Sequence, residues 1–321
     1  MRRRWVRSAI GALRKVVGGT PSAGRRRREI VGGPSPGATR GTRFARDESS
    51  HLPASHAYHP VTGNGCRGRP FRCPRLVVRR TKIQEGSVEA RTETVTVADG
   101  SFDLHLWLPA SGGGPAVLLV QEIFGVGPYI RRVAEDLAAL GYVVGAPDLF
   151  WRIEPHWEAE HTEAGTMASM EVASRLDFTH AVSDAAMALA HLRALPESTG
   201  RSGALGFCLG GSIAYVLAAS VEMDALLSFY GSGVPDAVGL MEKISCPALL
   251  VFGGSDPYIP RDQVAKVEKA AAGRPNVEMY VAEEAGHAFH NHEAPQFHHP
   301  EAARTAWAHA TAFLRSHLPL T

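Results

Sequence analysis

The sequence predicts an α/β fold, a mostly parallel twisted sheet of about eight strands with helices on both faces. Two observations predict it. Short β-prone runs alternate with helix-length segments from about Glu89 onward, the pattern of a parallel sheet built through helical crossovers. Several of those runs are apolar at every position, as in strands covered on both faces.

The elements follow in order. Glu93-Thr94-Val95-Thr96-Val97 alternates, Asp99-Gly100 makes a turn, and Leu104–Leu108 alternates again, so an antiparallel hairpin is expected at a sheet edge. Ala116–Val120 is a continuous apolar strand. Arg131–Leu140 reads as a helix closed by Gly141. Tyr142–Ala146 is the next strand, stopped by Pro147-Asp148. Residues 151–170, rich in Trp, His and Glu without a clear period, read as an excursion over the sheet. Phe178–Leu195 is a long helix ended by Pro196. Gly203–Phe207 is a strand and the Ala-rich Ser212–Ser220 a helix. Ala225–Tyr230, Ala248–Phe252 and Val277–Val281 are strands; Gln263–Ala272 and Ala302–His317 are helices.

Charge divides the 321 residues unevenly. Through Lys82 there are 20 Lys and Arg against 3 Asp and Glu; beyond it there are 14 against 29. Residues 1–84 are read as a basic, disordered extension, because little in them could bury enough apolar surface to offset ordering entropy. Residues 85–321 are read as the folded domain. The plain reading of the arm is a segment with no catalytic role, whether native or the product of an upstream start codon. Rival readings make it a tether to nucleic acid or anionic lipid, or an organelle transit peptide. No 7–15-residue apolar core follows the arginines, so a secretory signal is not expected. No later segment has about 20 uninterrupted apolar residues, so no membrane span is expected. Of the four cysteines, Cys66 and Cys73 lie in the arm and are read as free thiols of a reducing cytoplasm, and Cys246 as inert packing.

Cys208 differs. Gly206-Phe207-Cys208-Leu209-Gly210-Gly211 is a G-x-nucleophile-x-G pattern with cysteine in the central place. Such a sharp strand-to-helix turn exposes its central side chain at the carboxyl end of a sheet. The helix N-terminus behind it favours negative charge, hence thiolate. Asp256 follows the Ala248–Phe252 strand and His287 follows the last strand. All three fall where right-handed crossovers bring parallel strand ends together, in the nucleophile–acid–histidine order of α/β-hydrolases. In that arrangement His287 takes and returns the proton, and Asp256 orients the imidazole and stabilises its cation. The amide after the nucleophile, that of Leu209, is one expected oxyanion donor. Glu122 ends the Ala116–Val120 strand on the same side, as a solvated turn residue or as part of the site. His290, His292, His298 and His299 crowd after His287; they read as a solvated loop, and no metal site is expected.

Gln121-Glu122-Ile123-Phe124-Gly125-Val126, the Cys208 motif and Gly286-His287-Ala288-Phe289 together resemble the dienelactone hydrolase (carboxymethylenebutenolidase) family over roughly residues 89–318. The resemblance implies an α/β-hydrolase fold, a Cys208-His287-Asp256 triad, an acyl-enzyme and no cofactor. It also implies an oxyanion hole completed by the Ile123 amide, and a Glu122 that interacts with the resting cysteine until substrate displaces it. The sequence departs from the family where a substrate carboxylate is bound. The arginine four residues after the histidine is Asn291, a second arginine position is Thr166, and a nearby tyrosine is Met170. Asn291, Arg175 and Phe124 are the candidate substrate contacts, with Arg152 a further arginine able to substitute from elsewhere. The expectation is a cytoplasmic, monomeric hydrolase of small lactones or esters, with no nucleic-acid partner for the folded domain. The alternatives are a broad esterase or thioesterase without dienelactone activity and a silent binding protein on the same fold.

Overall fold

The computed structural model describes residues 88–320; the readings of the basic arm, Cys66 and Cys73 lie outside them. Eight strands form one sheet in the order β1-β2-β4-β3-β5-β6-β7-β8. β1 (Glu89–Val97) and β2 (Gly100–Leu108) make the edge hairpin, and β2 pairs antiparallel with β4 (Val143–Pro147). All remaining pairings are parallel: β4 with β3 (Gly114–Val120), β3 with β5 (Ser198–Phe207), then β6 (Ala225–Phe229), β7 (Ala248–Gly253) and β8 (Val277–Ala282).

The apolar runs behave as their composition requires. β3, β4, β6 and β7 are buried at every residue. On β5, a Cβ at Gly206 would strike the backbone of Gly210 in the following helix, whereas one at Gly203 would meet Leu318 at the far end of the chain. Residues three apart on a strand point to opposite faces, so β5 is covered on both sides.

The helices are α1 (Pro128–Ala139), α2 (Glu163–Ser174), α3 (Phe178–Ala194), α4 (Leu209–Ala218), α5 (Arg261–Ala271) and α6 (Pro300–His317). In α1 the buried residues Tyr129, Ile130, Val133, Ala134, Leu137 and Ala138 recur at helical spacing, so one stripe faces the sheet. Asp177 caps α3 by accepting from the Thr179 and His180 amides, relieving two of the free donors at that end.

One element departs from the sequence reading. The 151–170 excursion does cross the site: Trp157 Nε1 donates to the Ile123 carbonyl at 3.2 Å, and Glu158 bridges Gly125. It then runs into α2, which periodicity did not reveal. Only Ser169 and Val172 of α2 are buried, so no apolar stripe marks it as a helix.

Candidate active site

Cys208 stands between the end of β5 and the first residue of α4, with φ 54° and ψ −113°. A non-glycine residue there is strained. The packing of its neighbours holds it. The Cys208 amide donates to the Phe229 carbonyl, and a Cβ at Gly210 would lie 2.2 Å from the Val120 carbonyl oxygen. That close approach brings the end of β3, with Glu122 and Ile123, beside the elbow. Two further non-glycine residues with positive φ, Tyr230 and Ala288, border the same place; the Tyr230 ring centroid is 5.3 Å from that of His287.

His287 Nε2 is 3.1 Å from Cys208 Sγ, and His287 Nδ1 is 2.7 Å from Asp256 Oδ2. The other carboxylate oxygen, Oδ1, accepts from the Tyr258 and Ile259 amides at 2.7 and 3.1 Å, so Asp256 is locked in orientation. All three residues are buried. Burial by itself would favour a neutral ring at His287. The Cys208 sulfur and the Asp256 carboxylate on either side outweigh it and hold the imidazole pKa well above its ordinary value. Cys246 is the contrast: burial pushes its thiol up to about 11, and it stays inert packing.

Leu209 is the first residue of α4, where an amide has no intrahelical partner. Among the described residues no backbone group accepts from the Leu209 or Ile123 amide. Both residues are buried beside Cys208.

Glu122 lines the same small cavity as Cys208 and His287, about 50 Å³ in volume. Its partner differs from the one the family resemblance implies. Cys208 Sγ faces His287, while Glu122 Oε2 accepts from Asn291 Nδ2 at 2.7 Å. Asn291 is fully buried and lines the cavity, as does Phe124. Arg175 does not reach it: the side chain is half exposed and lies 4.0 Å from Glu154. Arg152 is held by Asp99 and Asp184 over the Trp151 ring. Neither arginine lines the cavity or the groove that meets it, so neither replaces the missing family pair.

His161 is the site residue the sequence reading missed. Its Nε2 is 2.9 Å from Asn291 Nδ2 and 3.8 Å from Glu122 Oε2, and its ring centroid is 4.1 Å from that of Phe124. Asn291 Oδ1 accepts from the Glu293 amide, so the Nδ2 group faces His161 and Nε2 of His161 is the acceptor. The signal was only that a His-rich segment crosses the strand ends. Tyr258, 5.0 Å ring to ring from His287, was also unmarked.

The histidines after His287 are not a solvated loop. His290 packs among Phe207, Phe229 and Trp307 and shares a 2.8 Å hydrogen bond with the Tyr129 hydroxyl. His298 reaches the Phe289 carbonyl, and His299 caps α6 by accepting from the Ala302 amide. Only His292 is exposed. His290, His298 and His299 are spent on packing, hydrogen bonding and capping.

Residues 102–318 match the model of the dienelactone hydrolase family. The chain belongs to that family. As a dienelactone hydrolase family member it is a carboxylic-ester hydrolase of the α/β-hydrolase fold. Carboxymethylenebutenolidase 1 of Cupriavidus pinatubonensis is 32% identical over 209 residues, spanning 64% of this chain and 88% of the relative. A carboxymethylenebutenolidase of a Pseudomonas strain is 31% identical, spanning 69% of this chain and 92% of the relative. Among solved structures, the dienelactone hydrolase of Anabaena variabilis superposes with a TM-score of 0.56 at 20% identity, covering 72% of this chain and 99% of that one. A dienelactone hydrolase-like promiscuous phosphotriesterase from metagenomic libraries gives 0.60 at 22% identity, covering 73% and 99%. No helix among the described residues of this family member is long and apolar enough to cross a membrane.

Proposed function

We propose that this dienelactone hydrolase family member cleaves small carboxylic esters or lactones through an acyl-enzyme on Cys208. The observation that carries the reading is one imidazole in hydrogen-bond contact with both a sulfur and a carboxylate, His287 at 3.1 Å from Cys208 Sγ and 2.7 Å from Asp256 Oδ2. An imidazole oriented by a carboxylate and in contact with a thiol can take that thiol's proton and leave the nucleophilic thiolate.

The thiolate adds to the carbonyl carbon, and the electron pair of the C=O bond moves to oxygen. The amides of Leu209 and Ile123 receive that oxyanion; one such donor contributes about 3 kcal/mol to lowering the barrier. Collapse expels the alkoxide, which takes the proton from the His287 imidazolium and leaves a thioester. In a lactone the alcohol stays tethered to the acyl group. Water then attacks the thioester as His287 takes its proton. The second collapse returns the Cys208 thiolate and releases the acid, and Asp256 supports the imidazolium in both halves.

Alkylation tests this directly. Iodoacetamide is expected to label Cys208 and leave Cys246, found by peptide mass, with parallel loss of esterase activity. The Cys208→Ala protein is expected to hydrolyse no ester above background. Retained turnover in that variant would overturn the proposal.

A further inference from the structure

The walls of the cavity have a polarity of their own. Glu122 is 2% exposed, and Asn291 satisfies only its Oε2; Oε1 has no hydrogen-bond partner among the described residues. A buried carboxylate oxygen without a donor is costly, so a ligand that brings one gains there. Phe124, Tyr258 and Phe297 line the same cavity, and no Lys or Arg does. A carboxylate with a free oxygen, walled by aromatic rings, is a receptor for an organic cation.

The approach has the same sign. An open groove meets the cavity at His161, Thr166, Met170, Tyr258 and Phe297. Glu158, Glu160, Glu163, Glu171 and Glu293 line it, and again no Lys or Arg does. Glu158 is bound by Arg131, and Glu293 lies 3.5 Å from His292. Glu160, Glu163 and Glu171 are exposed and have no ionic partner among the described residues. A cleft lined by one sign of charge concentrates ligands of the other.

We propose that the preferred substrate is an ester whose acyl part carries an ammonium group, received by the free oxygen of Glu122 and the surrounding rings after passage along the glutamate-lined groove. This rests on the hydrolase reading above. It assigns the site a charge preference opposite to that of a carboxylate-bearing lactone.

Three aryl esters of near-equal size test it: butanoate, 3-aminopropanoate and malonate, which end in a methyl, an ammonium and a carboxylate. Background hydrolysis is subtracted. We expect kcat/KM for the aminopropanoate to exceed that for the butanoate at least tenfold, and the malonate to be poorest. In the Glu160→Gln, Glu163→Gln, Glu171→Gln protein the ratio of ammonium to neutral ester is expected to fall severalfold. Propylammonium is expected to slow iodoacetamide labelling of Cys208 where butyrate does not, a readout independent of turnover. Equal rates for butanoate and aminopropanoate, or a best rate for malonate, would overturn the cation preference and leave the hydrolase reading standing. Failure of all three esters would overturn both.

Discussion

Two histidines three residues apart show how environment decides the role of one residue type. His287 has a sulfur on one side and a carboxylate on the other, and its charged form is favoured. His290 is enclosed by Phe207, Phe229 and Trp307; burial first, then His292 and His298, lower its pKa to about 3. The signs of their linkage to stability are opposite. The raised group at His287 contributes stability that is complete below the ordinary value of 6.5 and is lost as pH rises through its folded value. The depressed group at His290 makes no difference above 6.5. Below it the unfolded chain takes up a proton that the folded chain refuses, until about pH 3. We therefore expect His290 to cost on the order of 1–2 kcal/mol of stability between pH 7.5 and pH 5. Denaturant unfolding at the two pH values checks this: the difference should shrink in His290→Gln, which keeps an acceptor for the Tyr129 hydroxyl. An unchanged difference would show that His290 is not the group responsible. The placement of Cys208, Asp256 and His287 just after strands made them candidates from sequence, and the structure brings the three into contact. His161 was not legible, because nothing local distinguishes a histidine that will meet Asn291, 130 positions away.

At the scale of elements, the turn from β5 into α4 sets Cys208, the proposed nucleophile, beside the end of β3, which leads into Glu122. Gly210 is the contact point, since its missing side chain leaves the Val120 and Gln121 carbonyl oxygens room to approach; a Cβ would stand 2.2 and 2.5 Å from them. Gly210→Ala is expected to lower stability by about 2–3 kcal/mol and to reduce esterase kcat, because β3 must retreat and take the Ile123 amide with it. Gly239, where an added Cβ would meet nothing within 4 Å, is the control and should accept alanine with little change. Urea titration and ester kinetics on the two variants measure both effects. The strands were legible because apolar runs bounded by turn residues have few other uses. α2 was not: its buried face is Ser169 and Val172, and its other side lines the open groove, so no apolar stripe marks it.

At the scale of the whole molecule, every residue assigned to the site lies between Glu122 and Phe297, inside the 102–318 span of the family match. We expect a chain lacking residues 1–82 to keep its kcat/KM for small esters. A large loss would place part of the active site in the basic arm. The sequence by itself determined the fold class, the order of the strands along the chain and the placement of Cys208, Asp256 and His287, the proposed triad, just after strand ends. Each of these depends on local pattern: periodicity, turn glycines and position after a strand. Only the tertiary structure decided that Glu122 is held by Asn291 rather than by the cysteine, that Arg152 and Arg175 are turned away, and that the groove carries glutamates without a lysine or arginine. Those are facts of convergence between segments far apart in sequence. Their energies arise from burial and pairing that no single segment possesses until the sheet is assembled.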